Sequence, residues 1–347
     1  MKVVAGLGSI DDYDAYADAG ADELFIGYVP YEWLIKYEQT MPLNRREVSF
    51  VNVNIGSYSE LEILAEKVRR RGVPVSIAFN GLNYSPQSYM TIINIIRECI
   101  KLDMRDIIVA DIGLLVHLRE NNLCDKVNIH ISGEFGRMNS YEIMALQDFN
   151  IKRIIYPRGT NIEDITAMSD SFKELEHEVF FLNEKCHFEG AYCNSLHCDE
   201  LVPMCRMPYV ISKLEDNKDR GSKSTDIIDT DAINGKNPKH IDSQYTDGLD
   251  SDDIDSHEDK IDSVVDNIGF DGCGLCALKL LESSNVTHLK IVGRGAVFED
   301  MIRSISIARK AVELSRNIKG EDTYRDYIKN QLMQGRCGQN CYYLINK

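Results

Sequence analysis

A chain of 347 residues with 44 % hydrophobic and 27 % charged residues and a formal charge of −16 has the composition of an ordinary globular protein, long enough for one large or two ordinary domains. No apolar run approaches the roughly 20 residues that span a bilayer. The opening MKVVAGLGS carries neither a long apolar region nor a small-residue cleavage site, so no signal peptide is read and a reducing cytoplasm is the expected location. Much of the charge is local: Glu215–Asp266 holds 16 acids against 6 bases, a net of −10, which leaves −6 for the rest of the chain. That balance neither indicates nor excludes RNA, and nothing points to DNA or a membrane.

Short β-branched runs alternate with amphipathic windows along most of the sequence. In chain order the expected strands are Val3–Leu7, Glu23–Ile26, Val75–Asn80, Asp106–Ile112, Val127–Ser132, Arg153–Tyr156, Glu178–Leu182 and His288–Val292. Between them the periodicity predicts helices over Glu60–Arg71, Gln87–Leu102, Tyr141–Phe149 and Ile162–Phe172, and SIDDYDAYADAG reads as a helix capped by Ser9 and closed at Gly20. Strands separated by helices pair in parallel through right-handed crossovers. Eight of them make a closed (β/α)8 TIM-like barrel the first reading and an open doubly wound sheet the second. SFVNVNI, residues 49–55, is a ninth strand-like run and is read as decoration of the second crossover.

The pattern breaks after the seventh strand. Residues 214–267 are rich in Asp, Ser, Asn and Lys without helical period; such a stretch cannot bury enough apolar surface to offset its ordering entropy, and it reads as a disordered acidic insertion. Its Asp-rich spacing lacks the glycine and glutamate positions of a calcium loop. The expected organisation is therefore residues 1–213 for the first seven strands and a cysteine-rich loop, 214–267 for the insertion, 268–317 for the last strand and the closing helices, and 318–347 for a short polar tail.

Ten cysteines are present, and four of them, Cys186, Cys193, Cys198 and Cys205, fall in NEKCHFEGAYCNSLHCDELVPMCRMPY, residues 183–209. Cys273 and Cys276 form a CxxC pair beyond the insertion, and Cys337 and Cys341 a CxxxC pair near the end. In a barrel, strands seven and eight are neighbours, which brings the 183–209 loop and the CxxC pair to one end of the sheet. Thiolates converging from loops hold zinc or an iron–sulfur cluster. Zinc sites favour two short pairs; of these two groups only Cys273 and Cys276 are so spaced, and the six-residue gaps lean toward iron–sulfur. Cys99 and Cys124 read as buried small hydrophobes. Cys337 and Cys341 read as free thiols on a flexible tail, with ligands to a second cluster or a redox pair as the other readings.

Several segments then show a resemblance. EVFFLNEKCHFEGAYC, CRMPY and LCALKLLESSNVTHLKIVGR, preceded in order by GSIDDYDAYADAGADELFIGY, DIIVADIGLLVHLRE, IHISGEFGRMN and IIYPRGTNIEDI, resemble the strand-end motifs of the collagenase-like peptidase family U32. The resemblance covers nearly all of the chain outside the insertion and tail. It implies either a collagen-degrading type of peptidase or one of the family's members that carry a [4Fe–4S] cluster and hydroxylate RNA bases or a quinone precursor without oxygen, with prephenate implicated as oxygen source. It assigns the cluster to Cys186, Cys193, Cys205 and Cys276, with Cys198 and Cys273 as substitutes and zinc as the alternative metal. Some members work in pairs, which adds a second family member, beside a protein or RNA substrate, as an expected partner, and a non-catalytic partner subunit as a further reading.

A hydrolase needs a nucleophile, an orienting base and an oxyanion site, and the chain has neither a GxSxG elbow nor an HExxH helix. Catalytic groups of a barrel sit where strands end at the C-terminal face. Asn80, Asp111, His130 and Glu134 are the expected catalytic residues there. Arg158, Lys290 and Arg294 are the expected substrate-binding residues, suited to a dicarboxylate through bidentate and cationic contacts.

Overall fold

The computed structural model describes residues 1–37, 41–45, 53–136, 138–186, 193, 272–335, 337 and 340–345. Two compact units divide the chain, Met1–Met207 with Glu258–Lys347, and Pro208–His257; the second lies wholly outside the described residues, as do the expected insertion, Cys198 and Cys205.

Eight parallel strands close into a barrel in sequence order: β1 (Lys2–Gly6), β2 (Glu23–Gly27), β3 (Val75–Phe79), β4 (Asp106–Val109), β5 (Asn128–Ile131), β6 (Ile151–Ile155), β7 (Glu176–Leu182) and β8 (His288–Ile291). Closure is made by β8 on β1, with Lys2 opposite His288 and Ala5 opposite Ile291. The crossovers carry α1 (Tyr13–Asp18), α2 (Tyr31–Tyr37), α3 (Tyr58–Arg71), α4 (Tyr89–Lys101), α5 (Ile112–Glu120), α6 (Ser140–Leu146), α7 (Ile162–Ser171) and α8 (Leu278–Ser283). The chain ends with α9 (Phe298–Asn317) and α10 (Glu321–Tyr327). Among the described residues no helix is long and apolar enough to cross a membrane.

Local chemistry sets the joints. Ser57 accepts the Glu60 amide, and the Glu60 carboxylate returns to the Ser57 amide, a reciprocal cap that starts α3. Asn139 and Glu142 repeat the device at α6. Gly72 closes α3 at φ 77°, a conformation that a side chain resists.

Alternate strand residues face the barrel axis. Arg153 of β6 meets Glu23 of β2, and two strands on opposite sides of the barrel touch only through its centre. At the N-terminal end the interior is polar: Glu23, Ser76, Arg153, Glu178 and His288 are all buried and joined by hydrogen bonds. One layer up it becomes apolar with Phe25, Ala78, Ile108, Ile155 and Phe180. Above that the barrel opens.

The expected strands coincide with the observed ones except near Asp111, where β4 ends at Val109 and α5 begins at Ile112. Asp111 is the N-cap of that helix, its Oδ1 accepting the Leu114 amide at 2.6 Å. Of the ninth strand-like run, the described part reaches the barrel mouth as one parallel bridge, Ile55 to Tyr28. The expected tail is folded. α10 buries Tyr324 on the barrel wall, and Ile328, Met333, Tyr342 and Tyr343 follow it into the core.

Candidate active site at the C-terminal mouth of the barrel

A cleft of roughly 640 Å³, partly continuous with solvent, opens where the strands end. Its floor is the apolar layer, with the rings of Phe25 and Phe180 on opposing sides, and its rim carries Asn80, Ser132, Glu134, Arg158, Glu184 and Arg294. Four bases, Arg45, Arg158, Lys290 and Arg294, line it against two acids, Glu134 and Glu184. That balance favours an anion over the apolar floor.

Each cation is held in place. Arg158 Nη1 bonds Glu134 Oε1 at 2.8 Å while its guanidinium lies 4.0 Å from the centre of the Phe180 ring. Arg45 approaches the other oxygen of Glu134 at 3.7 Å. Lys290 reaches down to Glu178 at 2.8 Å and lies 3.8 Å from the centre of the Phe25 ring. Arg294 donates to Asn44 Oδ1 at 2.8 Å and Asn54 Oδ1 at 3.1 Å. Gly27 makes room for that cluster, since a Cβ there would collide with both Asn54 and Arg294. Asn80 accepts the Arg45 amide through Oδ1 at 3.2 Å and so ties the second crossover to β3.

Burial works against charge at Arg158, but Glu134 outweighs it and raises the guanidinium further above its ordinary range. Burial draws the Lys290 ammonium below its ordinary range in spite of Glu178. Glu178 itself is buried, which alone would raise it; Lys290 and Arg153 reverse that and hold it well below the usual carboxylate range.

Five of the seven residues expected at strand ends therefore share one cleft: Asn80, Glu134, Arg158, Lys290 and Arg294. Two do not. Asp111 caps α5 and accepts the Tyr89 hydroxyl at 3.0 Å. His130 is fully buried in the barrel, its Nδ1 3.5 Å from Ser76 Oγ and its Nε2 3.3 Å from Asp106 Oδ1. Both read as strand-end groups in sequence, but Asp111 lies beyond β4 as a helix cap and His130 lies within β5, below the mouth. Arg45 was hidden: it follows no motif, and only the second crossover folding over the mouth brings it to Glu134; Glu184 lies inside the EVFFLNEKCHFEGAYC segment but was not singled out there.

At the same end of the barrel, the segment after β7 meets the CxxC pair. Leu182 bridges Cys273, the Asn183 amide donates to Gly272 O at 3.0 Å, and the Gly274 amide to Phe181 O at 2.7 Å. Cys186 lies four residues past Leu182 and, like Cys193 and Cys276, is partly buried. Cys273 is buried. Cys99 and Cys124 are buried in the apolar core.

The profile of peptidase family U32 matches residues 8–344. The chain belongs to that family. The U32 match takes in the mouth residues, the cysteine-rich loop and the C-terminal segment alike. Among solved structures the chain is similar to the U32 peptidase Mk0906, with 12 % identity over 55 % of this chain and 73 % of that one at a TM-score of 0.41. It is also similar to a glycerophosphodiester phosphodiesterase from Parabacteroides distasonis, 12 % identical over 53 % of this chain and 84 % of that one at a TM-score of 0.35. A third is phosphoribosylanthranilate isomerase from Thermotoga maritima, 10 % identical over 51 % and 73 % at a TM-score of 0.32. No curated protein matches the sequence.

Proposed function

We propose that this U32 protein is an iron–sulfur enzyme that hydroxylates, or similarly modifies, an RNA, a peptide or a small precursor without oxygen, and that the mouth cleft binds its small anionic co-substrate. The observation that carries the reading is the cleft itself: four cations line it together with the rings of Phe25 and Phe180, at the end of the barrel where the segment after β7 meets the CxxC pair. Prephenate, the oxygen source that the family resemblance implies, is a dicarboxylate on an unsaturated six-membered ring, and such a molecule matches both parts of the cleft.

Soft thiolates suit an iron–sulfur cluster, and the segment that leads from β7 to Cys186 pairs at Leu182 and Asn183 with the turn that bears Cys273 and Cys276. Cys186, Cys193 and Cys205, with Cys276 or Cys198, would hold the group. When bound, a [4Fe–4S] cluster supplies one-electron chemistry and a Lewis-acidic iron. The chain's own residues do the rest. Arg158 and Arg294 receive carboxylates, Arg158 by its fork and Arg294 from a position fixed by two asparagines. Lys290 adds a third positive charge from below, and Phe25 and Phe180 exclude water from the ring. Among the described residues the buried Nε hydrogens of Arg45 and Arg158 meet no hydrogen-bond partner, and donors so placed are stabilised by an arriving anion.

The peptidase reading finds less support. Among the described residues that line the cleft there is no histidine and no cysteine, and the one hydroxyl, Ser132, accepts the Glu134 amide at 3.1 Å. A nucleophile without a base is a weak catalyst.

Protein purified without oxygen is expected to carry about four irons per chain, lost in Cys186→Ser. Arg158→Gln and Arg294→Gln should keep the iron and bind a cyclic dicarboxylate about 10–100-fold more weakly, the loss of one charge-assisted contact. Iron-free protein that cleaves peptides would overturn the reading in favour of the hydrolase.

A further inference from the structure

The C-terminal segment returns to the CxxC pair. After α10 a wide turn over Ile328–Leu332 reverses the chain, and its last residues run alongside Cys273. The Cys273 amide donates to Asn340 O at 3.1 Å, the Tyr342 amide donates to Cys273 O at 2.9 Å, and Cys273 and Cys341 face one another in a parallel bridge. Neighbouring strands of such a pairing lie about 4.8 Å apart. Cys276 is three residues on, in the turn Leu275–Ala277 that packs against α10 and the wide turn. Cys337 stands four residues before Cys341, which the bridge sets against Cys273, and it interacts electrostatically with Cys273, Cys276 and Cys341.

We propose that Cys273, Cys276, Cys337 and Cys341 form a four-thiolate site for a zinc-type divalent ion that fastens the C-terminal segment to the end of β7. This goes beyond the iron–sulfur reading and shares one thiol with it: Cys276 goes to the zinc site, which leaves Cys198 as the fourth cluster ligand. Two short pairs, with two residues between the first and three between the second, have the spacing that structural zinc sites use. The first pair sits on a tight turn, the Ala277 amide donating to Gly274 O at 2.9 Å. Lys185 donates to Cys341 O, and Lys329 and Arg325 lie close to Cys276, so three cations surround a centre whose four thiolates and one divalent ion sum to −2.

Among the described residues no three His, Cys, Asp or Glu side chains already stand as a ready metal site. Binding therefore turns the cysteine side chains about χ1, a move between ordinary rotamers, on a backbone that already brings the pairs together. The assignment takes Cys276 out of the set implied by the resemblance and leaves Cys186, Cys193, Cys198 and Cys205 as a second group of four.

The test uses the full chain, purified under reducing conditions, with zinc and iron measured together and zinc then exchanged for cobalt(II). The wild type should hold about one zinc per chain and, with cobalt, show the visible bands of a tetrahedral four-thiolate complex. Cys337→Ser with Cys341→Ser should lose the zinc and the bands while retaining iron; Cys186→Ser should do the reverse. Cys99→Ser, away from both groups, controls for misfolding, and circular dichroism checks that the double variant keeps its barrel. A wild type that binds neither zinc nor cobalt, a double variant with unchanged zinc, or one that loses iron instead overturns the proposal. So does a Cys273–Cys341 disulfide found in the reduced protein's mass.

Discussion

The guanidinium of Arg153 grips Glu23 through two nitrogens, each at 2.8 Å, and reaches Glu176 and Glu178 at the same distance. It also donates to His288 Nε2 at 3.0 Å. Arginine only donates, so His288 must accept at Nε2 and is neutral, its Nδ1 hydrogen going to Thr287 Oγ1 at 2.7 Å. One side chain thus satisfies three carboxylates in the barrel interior. Arg153→Met is expected to cost about 3–5 kcal/mol, because it leaves buried charges without their partner, as read by chemical denaturation at neutral pH. Adding Glu23→Leu to that variant should recover part of the loss, since an apolar pair of similar volume tolerates burial better than half an ion pair. A change below about 1 kcal/mol in the single variant would mean that water solvates the network.

The elements were unequally legible. Strands and the long helix α9 stand out because β-branched runs and a sustained apolar stripe both follow burial, and α9, Phe298–Asn317, falls where closing helices were expected within residues 268–317. The start of α5 was not, because Ala110, Asp111 and Ile112 continue an apolar run and a single aspartate inside it carries no periodicity. The C-terminal segment was read as a tail for a related reason. Its buried residues among those described, Tyr324, Ile328, Met333, Tyr342 and Tyr343, are irregularly spaced, and Tyr342 and Tyr343 donate to Asn183 O and Phe180 O, 159 and 163 residues back in the chain. Tyr343 donates to Phe180 O at 2.7 Å and backs one wall of the cleft. At the mouth, residue type and strand-end position sufficed for Arg158, Lys290 and Arg294, while Arg45 depended on a crossover whose path no local pattern encodes. Tyr343→Ala should therefore cost about 3–4 kcal/mol through the lost packing and Tyr343→Phe about 1 kcal/mol through the lost hydrogen bond. Thermal melting distinguishes these from a loose tail, for which both changes would be neutral.

For the molecule as a whole, the polar interior of the barrel makes stability a function of acidity. Burial lowers the His288 imidazole to about 4, and the Arg153 cation beside it adds to the effect. His177, buried under α7, is lowered as well. In the unfolded chain both would titrate near the ordinary histidine value of about 6.5. Between those limits the unfolded state binds protons that the folded state does not, so stability rises with pH and is lost as pH falls from about 6.5 toward 4. The carboxylates act lower and with the same sign. Glu23, Glu176, Glu178 and Asp106 are held below their ordinary range, burial opposing and the cations Arg153, Lys290 and Lys152 or the imidazole of His130 prevailing. Their contribution is complete above the unfolded carboxylate value of about 4.3 and disappears as pH drops through the folded values. Two steps should follow in a series of melting temperatures taken from pH 8 to pH 3. The first is a decline beginning near pH 6.5 that His288→Gln reduces, since a glutamine does not titrate. The second is a steeper fall below about pH 4.5 that this variant retains. A melting temperature that stays level from pH 7 to pH 5 in the unaltered protein would show that the buried histidines are charged in the fold, and the neutral His288 deduced from Arg153 would be wrong.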